Sequence, residues 1–200
     1  MMAKRVAIVD TGVANIASLI AAFERLGAET ELTSEASLVE SATYVVLPGV
    51  GAFAAGMEML RREGLVEPVR RRFDRKRPSL AVCLGMQLLC RASAESPGVE
   101  GLGVVDPEVA AFPDEVRRPQ FGWNEIEASR ECRLLSSGYA YFANSYRIVD
   151  EPEGWATATA EYGGRFVAAM ERGPLLACQF HPELSGPWGL SLIESWLETG

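Results

Sequence analysis

The chain has 200 residues, 48% of them hydrophobic, with 19 basic against 27 acidic side chains and a net charge of −8. That is enough for one compact domain with a real core, and the acidic balance argues against nucleic acid, because phosphate binding wants a concentrated basic surface. No stretch reaches the roughly 18 apolar residues of a membrane span, and no signal-peptide pattern opens the chain, so a cytoplasmic protein without membrane contact is expected. Four cysteines (Cys83, Cys90, Cys132 and Cys178) fit that reducing compartment. They form no C-x-x-C pair, and a single histidine cannot complete a common zinc set, so neither a metal nor another cofactor is expected.

In chain order, residues 6–9 read as a buried strand, followed by a Gly12-containing loop and a helix over 15–26 that Gly27 ends. Further strands are predicted at 29–32 and 44–47, the latter stopped by Pro48 and Gly49. Helices follow over 52–62 and 66–74, and the basic run at 70–77 reads as the solvated face and end of the second. A strand at 80–82 runs straight into a helix over 86–92. Strands separated by helical crossovers predict an α/β fold, a mostly parallel central sheet with helices on both faces. The second half is less regular. Strand-like runs at 155–160, 165–170 and 175–180, a Gly163-Gly164 hairpin turn and a closing helix over 190–197 complete a single domain, residues 1–200.

Open α/β sheets expose reactive groups beyond the carboxyl ends of their strands. Cys83 sits there: an apolar strand ends at it, Gly85 follows and a helix begins at once. This is a nucleophile elbow, whose sharp turn exposes the side chain while nearby helix amides favour a thiolate. The alternative is a small buried core residue, the usual fate of a free cysteine. If Cys83 needs an imidazole base, His181 is the only candidate, and it too lies just past an apolar strand. Glu183, beyond Pro182, is spaced to orient the ring and stabilise its protonated form. The oxyanion of an acyl intermediate also needs donors. The turn Pro48-Gly49-Val50-Gly51 permits backbone amides to face a substrate, and the Leu84 amide is the natural second donor.

Together, Pro-Gly-Val-Gly at 48–51, Cys-Leu-Gly-Met-Gln at 83–87 and Gln-Phe-His-Pro-Glu at 179–183 resemble a class I glutamine amidotransferase domain, with its flavodoxin-like sheet, over almost the whole chain. Within that family the segments 49–53, 121–124 and 141–146 are similar to the glutaminase subunits of imidazole glycerol phosphate synthase. The resemblance implies that Cys83 forms a γ-glutamyl thioester, that His181 serves as acid and base, and that Glu183 holds His181. It also implies that Gln87 and the backbone around Gly51, Ser145 and Tyr146 position L-glutamine. Ammonia would pass to a separate (β/α)₈ cyclase subunit within a heterodimer, with Asn15, Trp123, Asn124 and Tyr141 as candidate contacts. The sequence departs from the family pattern at Thr11, Ala14, Ala81, Asn144 (where histidine is common) and Leu184 (where lysine is frequent). Other class I amidotransferases, a stand-alone cysteine γ-glutamyl hydrolase and a non-catalytic binding subunit remain as alternative readings.

Overall fold

Strand β1 (Arg5–Val9) sends Val6 and Ile8 to one apolar cluster and Ala7 and Val9 to another, all four buried. A strand apolar on both faces must be covered on both. The computed structural model, which describes residues 3–12 and 16–200, shows how. Helix α1 (Ile16–Arg25) returns the chain to β2 (Glu29–Thr33), and helix α2 (Ala36–Ser41) leads to β3 (Tyr44–Leu47). Helices α3 (Phe53–Arg62) and α4 (Val66–Asp74) precede β4 (Ser79–Val82) and the short helix α5 (Leu84–Leu88). After β5 (Ala92–Ser93) and β6 (Glu108–Ala111) come β7 (Gln120–Ala128), β8 (Gly138–Asn144), β9 (Tyr146–Ile148), β10 (Ala156–Glu161), β11 (Arg165–Arg172) and β12 (Leu175–Cys178). A 3₁₀ turn (Pro182–Leu184) and helix α6 (Gly186–Leu197) close the chain.

The sheet runs β2-β1-β3-β4-β12-β11-β10-β7-β8. Its first five strands are parallel, as expected, and the remainder continues antiparallel. One face packs under α1 and α6, where Trp196 meets Phe23 and Tyr44 edge-on at 6.1 and 5.4 Å. The other is covered by α2 to α5 through Val39, Met57, Leu60, Val69, Phe73 and Leu88. No helix among the described residues is long and apolar enough to cross a membrane.

Several expectations are corrected. The helix placed at 86–92 spans Leu84–Leu88, because residues 92 and 93 pair with Glu108 and Val109 as strands. The last helix begins at Gly186 rather than 190, with Pro187 in its first turn, where no backbone donor is needed. Trp155 lies in a turn rather than a strand, its amide bound to Pro152 O, and β12 stops at Cys178, short of residue 180. The start of the first helix, with Ala14 and Asn15, lies outside the described residues. The basic run is not simply a solvated face. Arg72 is 1% exposed and donates to the carbonyls of Val39, Ala42, Thr43 and Pro78, tying the end of α2 to the entries of β3 and β4. Burial lowers its pKa to about 10. Its neighbours Arg71 and Arg75 pair with Glu40.

Candidate active site

Cys83 lies at the end of β4 with φ 55° and ψ −113°, a conformation rare for a residue with a side chain and typical of strained functional turns. Its surroundings fix that turn. A Cβ on Gly85 would lie 2.0 Å from Leu47 O, so α5 begins pressed against the end of β3 and position 85 admits only glycine. A Cβ on Gly49 would lie 2.9 Å from both Gly85 N and Leu84 Cβ, so the turn at 48–51 is also closely seated. Ala81, one of the departures, is wholly buried in the sheet between Leu47 and Ala177, which absorb its methyl group.

The histidine arrives from the neighbouring strand. Cys178 pairs with Val82 in parallel register, and the Cys83 amide donates to Cys178 O at 2.7 Å. His181 thus emerges three residues beyond, on the same sheet edge. Its backbone is held from both sides: the amide donates to Tyr141 O at 2.9 Å, and the Ser185 hydroxyl donates to His181 O at 2.6 Å. Pro182 opens the 3₁₀ turn that folds Glu183 back, placing Oε1 2.8 Å from His181 Nδ1. That contact leaves Nε2 for Cys83. Burial by itself would lower the imidazole pKa, but hydrogen bonds to Cys83 and Glu183, and the charge on both, push it up to about 10. The other thiols are quiet: burial raises Cys90 to about 12, raises Cys178 well above the usual thiol range, and raises Cys132.

A cavity of about 300 Å³ opens over this pair, a size suited to a small ligand. Val50, Gly51, Leu84, Gln87, Ser145 and Tyr146, all singled out from the sequence, lie on its wall. A larger cleft, about 510 Å³, lies at the opposite, amino-terminal ends of β1 to β3, and its lining includes neither a cysteine nor the histidine. One hydrogen bond bears on the expected oxyanion site. The Leu84 amide donates to Gly49 O at 3.2 Å and is therefore occupied. Gly49 thus meets Leu84 through its carbonyl.

Glu95 and Asn144 also line the cavity, and sequence reasoning missed Glu95 as a site residue. Glu95 Oε2 accepts the Phe53 amide at 2.7 Å and Ser96 Oγ accepts that of Ala54 at 3.2 Å, so this segment caps α3 just downstream of the oxyanion turn. The only sequence signal is a Ser-Ala-Glu-Ser cluster soon after the elbow helix. Asn144 is buried and donates to Tyr146 O at 2.9 Å, so it belongs to the pocket wall.

Of the candidate contact residues, Trp123 is 58% exposed and stacks edge-on with half-buried Tyr141 at 6.2 Å, which rules out a core role for Trp123. Exposed Phe121 and Tyr139 extend the same face of the β7–β8 ribbon, since Trp123 pairs with Tyr141 and Glu125 with Tyr139. Asn124 alternates to the opposite face and donates to Glu161 O at 3.0 Å, so the structure separates it from this surface. Leu184 is 37% exposed.

A sequence profile for "Glutamine amidotransferase class-I" matches residues 7–198. The chain is 40% identical over 196 residues to the "Imidazole glycerol phosphate synthase subunit HisH" of Symbiobacterium thermophilum, covering 96% of this chain and 92% of that one. It is 36% identical over 199 residues to "Imidazole glycerol phosphate synthase hisHF, chloroplastic" of Arabidopsis thaliana, covering 96% of this chain but 34% of that longer one. Its fold matches a solved structure described as "Crystal structure of glutamine amidotransferase" with a TM-score of 0.77 at 22% identity, covering 97% of each chain.

Proposed function

We propose that this chain, which belongs to the class I glutamine amidotransferase family, is the glutaminase subunit of an imidazole glycerol phosphate synthase in histidine biosynthesis. It hydrolyses L-glutamine to glutamate and ammonia and passes the ammonia to a separate (β/α)₈ cyclase subunit in a cytoplasmic heterodimer. The observation that carries the reading is the buried Cys83–His181–Glu183 arrangement inside a small-ligand cavity, in a chain 40% identical to a relative of that name.

The Cys83 thiolate attacks the side-chain amide carbon of glutamine, forming a C–S bond and an oxyanion. As the C–N bond breaks, the His181 imidazolium gives its proton to the departing nitrogen, leaving ammonia and a γ-glutamyl thioester. Neutral His181 then takes a proton from water, whose oxygen attacks the thioester, and glutamate leaves as Cys83 regains its electron pair. Glu183 holds the imidazolium throughout, the role of the third member of such triads. Gln87, Ser145, Tyr146 and the carboxylate of Glu95 line the space that glutamine fills, and Glu95 suits its ammonium group.

The oxyanion needs a donor that the resting turn withholds. Rotating the Gly49–Val50 peptide unit would withdraw Gly49 O from Leu84 N–H and swing the Val50 amide toward the cavity. Tyr141, on one exposed face with Phe121 and Trp123, holds the His181 amide through its carbonyl, so a partner docked on that face would reach the triad directly. The test is glutamate release from the isolated chain, the complex with the cyclase subunit, and the complex loaded with acceptor. The expected order is slow, faster and fastest, and Cys83→Ala removes all three rates while the complex still forms product from ammonium salts. Equal rates in all three states would eliminate the switch, and glutamate release surviving Cys83→Ala would eliminate the nucleophile.

A further inference from the structure

Beside the triad lies a fully buried side chain that it does not use. Gln179 directly follows β12, its amide anchored on Ala168 O at 2.8 Å, and it is 0% exposed. Its Nε2 lies 3.7 Å from Cys83 Sγ, within the range of a hydrogen bond to sulfur. The orientation of this amide is set by a chain of contacts that begins at a backbone carbonyl. Tyr146 O can only accept, and it receives N–H groups from Asn144 at 2.9 Å and Gln87 at 3.3 Å. The Gln87 NH₂ group therefore points inward, where its other contact is Gln179 Oε1 at 2.8 Å. With its oxygen so engaged, Gln179 has only N–H to offer the sulfur.

We propose that Gln179 is a further catalytic residue, donating a hydrogen bond to Cys83 Sγ that stabilises the thiolate against the thiol and holds it on the line of attack. An apolar side chain would fill this fully buried position at no polar cost, whereas an amide must be satisfied at both ends. Here one end is satisfied by Gln87 and the other by the nucleophile. A hydrogen bond to a charged group strengthens when its partner ionises, so Gln179 favours the anion before attack and again on release from the thioester, and His181 need not hold it alone. The contact also gives Gln87 a task besides any contact with substrate: it braces Gln179. This inference rests on Cys83 being the nucleophile.

The decisive experiment follows alkylation of Cys83 by iodoacetamide across pH, with mass spectrometry reading that one site, in the wild-type chain, Gln179→Met and Gln179→Glu. Sulfur displaces iodide, so the rate tracks the thiolate. Loss of the donor in Gln179→Met is expected to move the midpoint of the profile upward and to slow alkylation below it by about tenfold to 100-fold. The high-pH plateau should stay near the wild-type value, and Gln179→Glu should move the midpoint further. A purely structural role predicts a profile scaled down at every pH with its midpoint in place, and that result would overturn the proposal. If neither variant melts cooperatively, the side-chain amide protons of Gln179 in the ¹⁵N-labelled wild-type protein decide. They must titrate together with Cys83 alkylation, and a flat response refutes the hydrogen bond. Failure of a thiol-directed glutamine analogue to label wild-type Cys83 would instead refute the underlying nucleophile assignment.

Discussion

Substituting Val50 with glycine should awaken the resting enzyme. As built, the turn keeps the Leu84 amide on Gly49 O, and Val50 is absent from the residues with positive φ. Freeing the donor by a half-turn of the Gly49–Val50 peptide carries φ of Val50 from negative to positive values, which a β-branched residue strongly resists. Gly49, on the other side of the rotating unit, carries no such penalty. The left-handed region costs a residue with a side chain about 1–2 kcal/mol, and glycine almost nothing. Val50→Gly therefore removes about that much from the oxyanion-competent state alone, which corresponds to a 5- to 30-fold increase in its population. Glutamate release by the isolated chain should rise by that factor. The rate of the acceptor-loaded complex, where the proposed rotation has already been made, should change little, so the activation ratio falls in proportion. A steady-state glutaminase assay with and without partner measures both, and KM shows whether the missing side chain also loosens the pocket. An isolated variant no faster than wild type, with Cys83 still open to alkylation, would mean that peptide rotation does not limit the resting rate.

His181 is the sole histidine, so its imidazole resonance is unambiguous and should titrate with a midpoint near 10. Because the folded pKa lies above the ordinary 6.5, the pair adds stability that is complete below pH 6.5 and lost as pH climbs through about 10. A midpoint near 6.5 would show that Cys83 and Glu183 do not hold the imidazolium. His181→Asn should lower glutaminase turnover by about 10²–10⁴-fold with cooperative unfolding retained, and near-normal turnover in the folded variant would break the triad. Trp123→Ala should leave the melting temperature of the isolated chain nearly unchanged, since the ring is 58% exposed, yet weaken cyclase binding about tenfold or more by calorimetry. Unaltered affinity would move the docking surface elsewhere.

The sequence displays the site better than the fold around it. Cys83-Leu84-Gly85 and His181-Pro182-Glu183 are each a few consecutive residues whose local geometry carries their chemistry, and both follow apolar strands. What brings them together is the β4–β12 register, a pairing across nearly a hundred residues that no local pattern announces. Strands β1, β3, β4 and β12 are legible because they are largely apolar and buried, whereas β2, parallel too, is an exposed and mostly polar edge. In β7, Phe121, Trp123 and Glu125 face solvent while only Gln120 and Ile126 are buried, and no apolar alternation marks it as a strand. Strands β5 and β9 have two and three residues, too few for a period to show. Helix α2 has six residues and one buried side chain, Val39. Glu95 escaped notice because it works through the Phe53 amide, a contact across forty-two positions. The blocked Leu84 amide is a backbone event and leaves no trace in residue identity.

Strand β12 also bears on how the protein comes into being. It is the seam where the parallel half meets the antiparallel half, bound to β4 on one side and β11 on the other. Pairing partners so far apart in the chain are joined late and slowly during folding. On the ribosome, Cys83 emerges well before His181. Until residues 175–183 have followed, β4 presents an unpaired edge, the kind of surface that recruits other chains. The step that closes the sheet is therefore also the one that completes the proposed triad, so a chain still lacking it is exposed to aggregation but cannot waste glutamine.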